Sequence, residues 1–403
     1  MHKNKKVILL ILGLLSAIGP FSIDMYLPAF ETISKDFNTS IDRVQLSLTA
    51  FFVGIAIGQI IYGPLLDRFG RKKPLIIGLF IYITTSILCV FTRDIESLIA
   101  LRFLQALGSC AGMVASRAMV QDYYEPQEAA RTFSLLMLVV AISPILAPSA
   151  GAFLMEHLDW HYIFITLASL GVLIIIGTIF FLPESYKGNP DFSLLPPAII
   201  RQYWSVFINR TFISYCLIGS IAAAGLYAYL AGSSFIIQEL YGLSKKEYGL
   251  IFAFVASALI IATQLNRQFL KRWSMSEISR IANCGQALVG IAMLVTVWTH
   301  TLNLQVLIAL VFGYLLCQGF IFPNTSAMAL APFKQTAGSA SALLGCLQMG
   351  LGAVSSGIVS LFHNGTEVPM LLVMCSCACI ALLLHLFAVP PRQSTSEILE
   401  QTF

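Results

Sequence analysis

The chain has 403 residues, of which 57% are hydrophobic and only 11% carry charge. Soluble domains run nearer a quarter charged, so this chain lacks the charge needed to coat a globular surface in water. The net charge of +4 is explained by the loops described next and gives no reason to expect a nucleic-acid partner.

Twelve stretches are long and apolar enough to cross a bilayer, which takes roughly 20 residues each. In chain order they cover 7–28, 44–66, 74–92, 97–119, 131–155, 161–182, 211–238, 247–265, 281–299, 303–326, 338–361 and 368–389. They are continuously apolar, without ten-residue alternation, which selects helices over a β-barrel. The first exceeds a signal-peptide core and no small-residue cleavage pattern follows it, so it reads as a span. Seventeen Lys and Arg residues fall between spans on the side of the N-terminus, including Lys3, Lys5, Lys6, Arg68, Arg71, Lys72, Lys73, Arg131, Lys334 and Arg392. Five fall opposite: Lys35, Arg43, Arg93, Lys245 and Lys246. Positive loops resist translocation, which predicts a multi-pass protein with both termini cytoplasmic.

Span 1 carries Asp24 in Ile23-Asp24-Met25-Tyr26-Leu27-Pro28, and span 4 carries Arg102 in Leu101-Arg102-Phe103-Leu104-Gln105. Ionisable side chains inside a span are costly and point to function. Each is expected about six residues, or ~9 Å, below the outer end of its helix, which allows an Asp24–Arg102 pair if the two helices are neighbours. A guanidinium nearby keeps a carboxylate ionised, whereas an apolar cavity favours the neutral acid. A substrate that upsets this balance would bind or release a proton, coupling its transport to the proton gradient.

The loop between spans 2 and 3 reads Gly63-Pro64-Leu65-Leu66-Asp67-Arg68-Phe69-Gly70-Arg71-Lys72-Lys73. Gly63 permits close helix approach, Asp67 is placed to accept from a facing helix N-terminus, and Arg71 to reach Asp122 at the inner end of span 4. Span 5 contains Ser143-Pro144-Ile145-Leu146-Ala147-Pro148-Ser149-Ala150-Gly151. After span 6 the apolar pattern breaks at 183–210, from Pro183-Glu184-Ser185 through Pro196-Pro197 to Arg201, Trp204 and Arg210. Pro183-Glu184-Ser185 reads as a helix stop, and the basic–aromatic remainder suits a helix lying on the membrane surface. The break divides the chain into six-span units, 1–182 and 211–403, the second ending in a short cytoplasmic tail, as in transporters with a site between two repeats. Tyr26, Gln59, Gln105, Tyr227, Tyr229, Gln318, Asn324 and Gln348 either line a cavity or make interhelical hydrogen bonds.

These residues resemble the major facilitator superfamily. The 63–73 loop is similar to its ordered Gly, Asp-Arg, Gly-Arg-Lys signature. Asp24 with Pro28, and Arg102 with Gln105 and Gly108, resemble the first- and fourth-span motifs of the twelve-span drug–proton antiporters, with Ala106 in place of a glycine. Residues 143–151 are similar to the fifth-span antiporter motif, with Ala147 and Ala150 replacing two glycines. Ser22 to Pro28 most resembles the bicyclomycin/chloramphenicol-resistance branch. The resemblance implies an all-α integral membrane fold of twelve helices in two six-helix bundles, and a monomeric exporter of the bacterial inner membrane. It implies Asp24 as the proton- and substrate-responsive acid coupled to Arg102, with Tyr26 and Gln105 beside them. It further implies Gly63, Asp67, Arg68, Gly70, Arg71 and Asp122 as a cytoplasmic latch that breaks on inward opening, and Pro144, Ala147, Pro148 and Gly151 as the antiporter bend. The implied partners are protons, a small molecule and the lipid bilayer, with no cofactor beyond the proton gradient.

Two other classes fit less well. A haem-bearing or acid–base membrane enzyme needs paired histidines or clustered carboxylates inside the spans. His157 and His161, beside Glu156 and Asp159, straddle a helix break and make a poor metal site. A sensor normally carries an added soluble domain, and no loop is long enough to be one. The nine cysteines fall inside spans without a CxxC pair and read as packing residues. Export of a natural metabolite, such as a siderophore, sugar or amino acid, remains open beside drug export.

Overall fold

The computed structural model describes residues 5–124, 126–190, 193–333 and 337–387. The C-terminal tail and three of the basic residues counted above, Lys3, Lys334 and Arg392, lie outside the described residues. The regular structure among the described residues is all helical. The helices are α1 (Lys5–Asp24), α2 (Phe30–Asp36), α3 (Ile41–Phe69), α4 (Lys72–Val90), α5 (Ile95–Tyr123), α6 (Pro126–His157), α7 (His161–Phe181) and α8 (Pro196–Phe207). They continue as α9 (Arg210–Ser234), α10 (Lys245–Phe269), α11 (Met275–Trp298), α12 (Leu304–Leu330), α13 (Ala337–Leu361) and α14 (Val368–Phe387). Among the described residues, eleven helical units are long and apolar enough to cross a membrane. The 32-residue α6, on the apolar run predicted at 131–155, is the twelfth.

Polar side chains set many helix starts. Asp94 accepts from the Ser97 amide at 2.8 Å, which holds its carboxyl below the usual carboxylate range. Asn209 and Asn303 cap α9 and α12 in the same way. Ser244 with Glu247, and Ser274 with Glu277, form reciprocal capping boxes on α10 and α11. These caps carry helices past their apolar runs, so that α11 begins at Met275 rather than at the predicted 281. At the other end of α3, Gly70 adopts a φ of +85°, a conformation that suits glycine.

Span 1 departs from its predicted extent. α1 stops at Asp24, a 3₁₀ turn covers Leu27–Ala29 with Pro28 inside it, and α2 continues to Asp36. Pro28 has no amide hydrogen to continue the α-helical ladder, so the break follows from local sequence. Asp24 therefore lies about twelve residues, roughly 18 Å, from the end of that helical unit, deeper than the ~9 Å expected. The matching unit in the second half, α9, finishes in a π-helical turn at Phe235–Leu240.

The spans form two six-helix bundles. In the first, α1 packs on α5, α6 and α7, α3 packs on α5, and α4 on α5 and α7. In the second, α9 packs on α12, α13 and α14, α10 on α12, and α11 on α12 and α14. Small residues permit the closest approaches, as membrane helices without a strong hydrophobic drive require. A β-carbon on Gly54 would lie 2.6 Å from the Ala106 β-carbon, so the alanine standing for a family glycine is accommodated by a glycine across from it. The bundles meet where α3 packs on α13 and α6 on α10. We call the end bearing the α3–α4 loop the basic end. At the opposite end, Ser360 donates to the Asp42 carbonyl at 2.5 Å and Ser234 to the Leu27 carbonyl at 2.8 Å. These bonds hold the two bundles together there.

Candidate functional site

Asp24 ends α1 at the bundle interface and is 5% exposed. The expected ion pair with Arg102 is not formed. Helix phase explains why: Ser22 and Asp24 are two residues apart, about 200° around the helix. The guanidinium of Arg102 reaches the face bearing Ser22, donating to its carbonyl at 2.9 Å. Asp24 points the other way, within electrostatic reach of Tyr227 and Tyr248 in the second bundle. The connection between Asp24 and Arg102 is thus mechanical, through two residues of α1 backbone.

Arg102 is wholly buried inside the first bundle. It also donates to Gln105 Oε1 at 2.6 Å, and Gln105 Nε2 donates to Ser86 Oγ at 2.7 Å. Its guanidinium lies 4.5 Å from the Tyr26 ring centroid, 4.2 Å from that of Phe51 and 5.8 Å from that of Phe164. A charge within the bilayer is costly, and desolvated cation–π contacts worth up to ~2 kcal/mol each offset part of that cost. Tyr26 Oη is bonded to Ser47 Oγ at 2.8 Å, and Ser22 Oγ to Tyr82 Oη at 2.8 Å. Tyr26, Arg102 and Gln105 therefore form a closed polar knot rather than the wall of a cavity. Ser22, which entered the sequence analysis only as the start of the Ser22–Pro28 resemblance, helps complete the knot; so do Phe51, Tyr82, Ser86 and Phe164, which carried no sequence signal because they are common residues in apolar spans.

At the basic end, Arg71 Nη1 pairs with Asp67 at 2.8 Å and Arg71 Nε with Asp122 at 2.9 Å. Burial works against the charged guanidinium, but its bonds to Asp122 and Asp67 prevail and raise its pKa. All three residues belong to the first bundle, so the triad braces α3 against α5 and does not itself join the two bundles. The helix N-terminus assigned to Asp67 is taken by Glu184, whose carboxylate accepts from the Arg71 amide at 2.9 Å and the Lys72 amide at 3.1 Å. Ser185 donates to Asp122 at 2.7 Å, and the Arg71 guanidinium lies 4.7 Å from the centroid of the Tyr186 ring. Residues 183–185, read as a helix stop, and Tyr186 after them thus also border the triad. Arg68 lies 5.8 Å from the Phe69 ring centroid. Gly63 faces the Tyr203 hydroxyl of α8 rather than a neighbouring span.

Pro144, Ala147, Pro148 and Gly151 run along α6. Gly151 presses on the Met25 backbone, so closely that a β-carbon there would overlap the Met25 carbonyl oxygen. The Pro148 carbonyl lies near Gly249 of α10, where a β-carbon would be 3.5 Å away. The fifth-span motif thus sits against the break beside Asp24 on one side and the second bundle on the other. Among the remaining polar residues, Gln318 bonds Gln286 at 3.0 Å and Asn324 bonds Asn266 at 2.8 Å, both between helices of the second bundle. Tyr227 packs edge-on against Phe52 across the bundle interface, ring centroids 4.8 Å apart.

A cavity of about 190 Å³ opens at the basic end between the bundles and is bordered by Gln59, Asp67, Arg71 and Arg117 of the first and Ser339 of the second. α8 closes one side: Tyr203 donates to the Ile60 carbonyl at 3.2 Å and Gln202 to Ser339 at 2.7 Å. Neither Asp24 nor Arg102 borders this cavity. Arg117, the second cation within span 4, was passed over in the sequence because it lies near the span's end, where positive charge is ordinary.

The model of the Major Facilitator Superfamily matches residues 12–357. The MFS-type transporter YdgK of Bacillus subtilis is 35% identical over 373 residues, 91% of this chain and 92% of that protein. A bicyclomycin resistance protein homolog of Haemophilus influenzae is 29% identical over 386 residues, 96% of this chain and 97% of that protein. A crystal structure of a D-xylose–proton symporter superposes with a TM-score of 0.74 at 15% identity, covering 95% of this chain and 98% of that one. The last likeness shows the fold alone.

Proposed function

The chain belongs to the Major Facilitator Superfamily, and from that premise we propose that it is a proton-coupled antiporter exporting small, mostly lipophilic drugs. It is a multi-pass membrane transporter and not an enzyme. The drug-efflux reading is supported by the sequence motifs and by the relative named for bicyclomycin resistance. The observation that carries the proton coupling is Asp24, a buried carboxylate at a helix break between the bundles. A carboxylate placed where the bundles must separate changes its surroundings with every cycle, and its proton affinity changes with them.

On this reading the basic end faces the cytoplasm of a bacterial inner membrane, as the positive loops require, and the exporter works as a monomer. Residues 1–182 and 211–403 rock about the interface, with 183–210 as a strap at the membrane surface. Arg102, Tyr26 and Gln105 position the segment bearing Asp24. The Asp67–Arg71–Asp122 triad, with Gly63, Arg68 and Gly70, stiffens the cytoplasmic face of the first bundle. Pro144, Ala147, Pro148 and Gly151 shape α6 so that α1 and α10 approach it together.

The test is drug susceptibility of an efflux-deficient bacterium expressing the chain or its Asp24→Asn variant at equal level. Raised resistance to lipophilic drugs such as phenicols, lost in the variant, is the expected result. No resistance to any drug from a well-inserted protein would move the assignment to metabolite export.

A further inference from the structure

Arg117 is an intramembrane cation that neither the polar knot nor the basic-end triad employs. It lies on α5 fifteen residues beyond Arg102, roughly 22 Å nearer the basic end, and its side chain borders the 190 Å³ cavity. Among the described residues no hydrogen bond or ion pair reaches its guanidinium. The acids nearest the cavity are engaged elsewhere, Asp67 and Asp122 both by Arg71. An unpaired guanidinium partly withdrawn from water is unfavourable, and intramembrane cations mark the paths of charged ligands.

Besides Asp67 and Arg71, which also border the cavity and pair with each other, the wall supplies neutral hydrogen-bonding groups: Gln59 from α3, Gln202 and Tyr203 from α8, and Ser339 and Ser341 from α13. Ser339 Oγ accepts from Gln202 Nε2 at 2.7 Å, which leaves its own O–H to donate into the cavity. We propose that this cavity binds a single anionic group, a carboxylate or a phosphate, with Arg117 as counter-ion and Ser339 as a supporting donor. The planar guanidinium offers two parallel N–H groups to such an oxyanion. The bound group touches both bundles at once, Arg117 in the first and Ser339 in the second, so its arrival ties them together at the basic end. That this group is carried by exported cargo rests on the function proposed above; an anionic lipid headgroup presents the same chemistry.

The experiment uses the full chain in nanodiscs of zwitterionic lipid and a matched pair of probes, a coumarin carboxylate and its primary amide. The carboxylate is expected to bind about tenfold to a hundredfold more tightly, the range of a charge-assisted hydrogen bond. Arg117→Gln removes that preference and leaves the amide affinity unchanged, which also shows that the variant is folded; Arg117→Lys retains part of the preference. Exchanging the lipid for phosphatidylglycerol identifies the source. Carboxylate affinity that falls points to a lipid headgroup as the resident anion, and affinity that holds points to soluble cargo. Equal binding of the two probes by the unaltered protein, or a preference that survives Arg117→Gln, overturns the site. Because binding is read without transport, a failure of export with the preference intact counts against the exporter reading alone.

Discussion

Gly151→Ala isolates the contact between the fifth-span motif and the segment that bears Asp24. A β-carbon at Gly151 meets the Met25 carbonyl oxygen well inside 3.0 Å, with the Met25 carbonyl carbon at 3.0 Å. Both partners are backbone, so no rotamer change relieves the overlap, and α6 or the break after Asp24 must move by about 1 Å to restore an ordinary 3.5 Å contact. Overpacking of this kind costs about 1–3 kcal/mol. Displacing a functional group by about 1 Å can cost on the order of a hundredfold in rate. We therefore expect Gly151→Ala to lower the midpoint of thermal unfolding in detergent and to reduce export per molecule by tenfold or more. Gly350→Ala is the control, because a β-carbon there meets nothing within 4 Å. A Gly151→Ala protein as stable and as active as the Gly350→Ala control would refute the reasoning.

Three further outcomes follow from contacts already described. Arg102→Lys leaves either the Ser22 carbonyl or Gln105 Oε1 without its donor, at about 1–3 kcal/mol; thermal unfolding in detergent reads it, and an unshifted midpoint counts against the knot. Glu184→Gln removes the charge from the first amides of α4, worth about 0.3–1 kcal/mol at an exposed site; hydrogen exchange at Arg71 and Lys72 should quicken while the rest of α4 stays protected. Ser234→Ala deletes a bond between the bundles worth about 1 kcal/mol, a roughly fivefold shift toward separation at the end opposite the basic loops. Distances between spin labels on α2 and the π-helical turn measure that shift, and an unaltered distribution would show the bond to be incidental.

The twelve spans were legible because each apolar run is as long as a bilayer is thick, and the helix ends were less so because polar caps extend helices past those runs. Asp24 and Arg102 announced themselves as charges inside spans, whereas their relation did not. That relation depends on which face of α1 meets α5, and spacing within each helix cannot show which faces meet. Arg71 and Asp122 were legible from an ordered loop motif. Glu184 was not, since its partners lie 113 and 112 residues away and are backbone amides that leave no mark in sequence. Arg117 escaped notice for a related reason: a cation near a span end is unremarkable until the fold shows that it borders a cavity and that no acid among the described residues is bonded to it.

Proton movement in inverted membrane vesicles, recorded as drug is added, tests the central claim most directly. The account predicts that a lipophilic drug carried by the unaltered protein releases protons from energised vesicles, and that Asp24→Asn vesicles of equal protein content release none. Drug accumulation without proton movement, or proton release undiminished by Asp24→Asn, would contradict it.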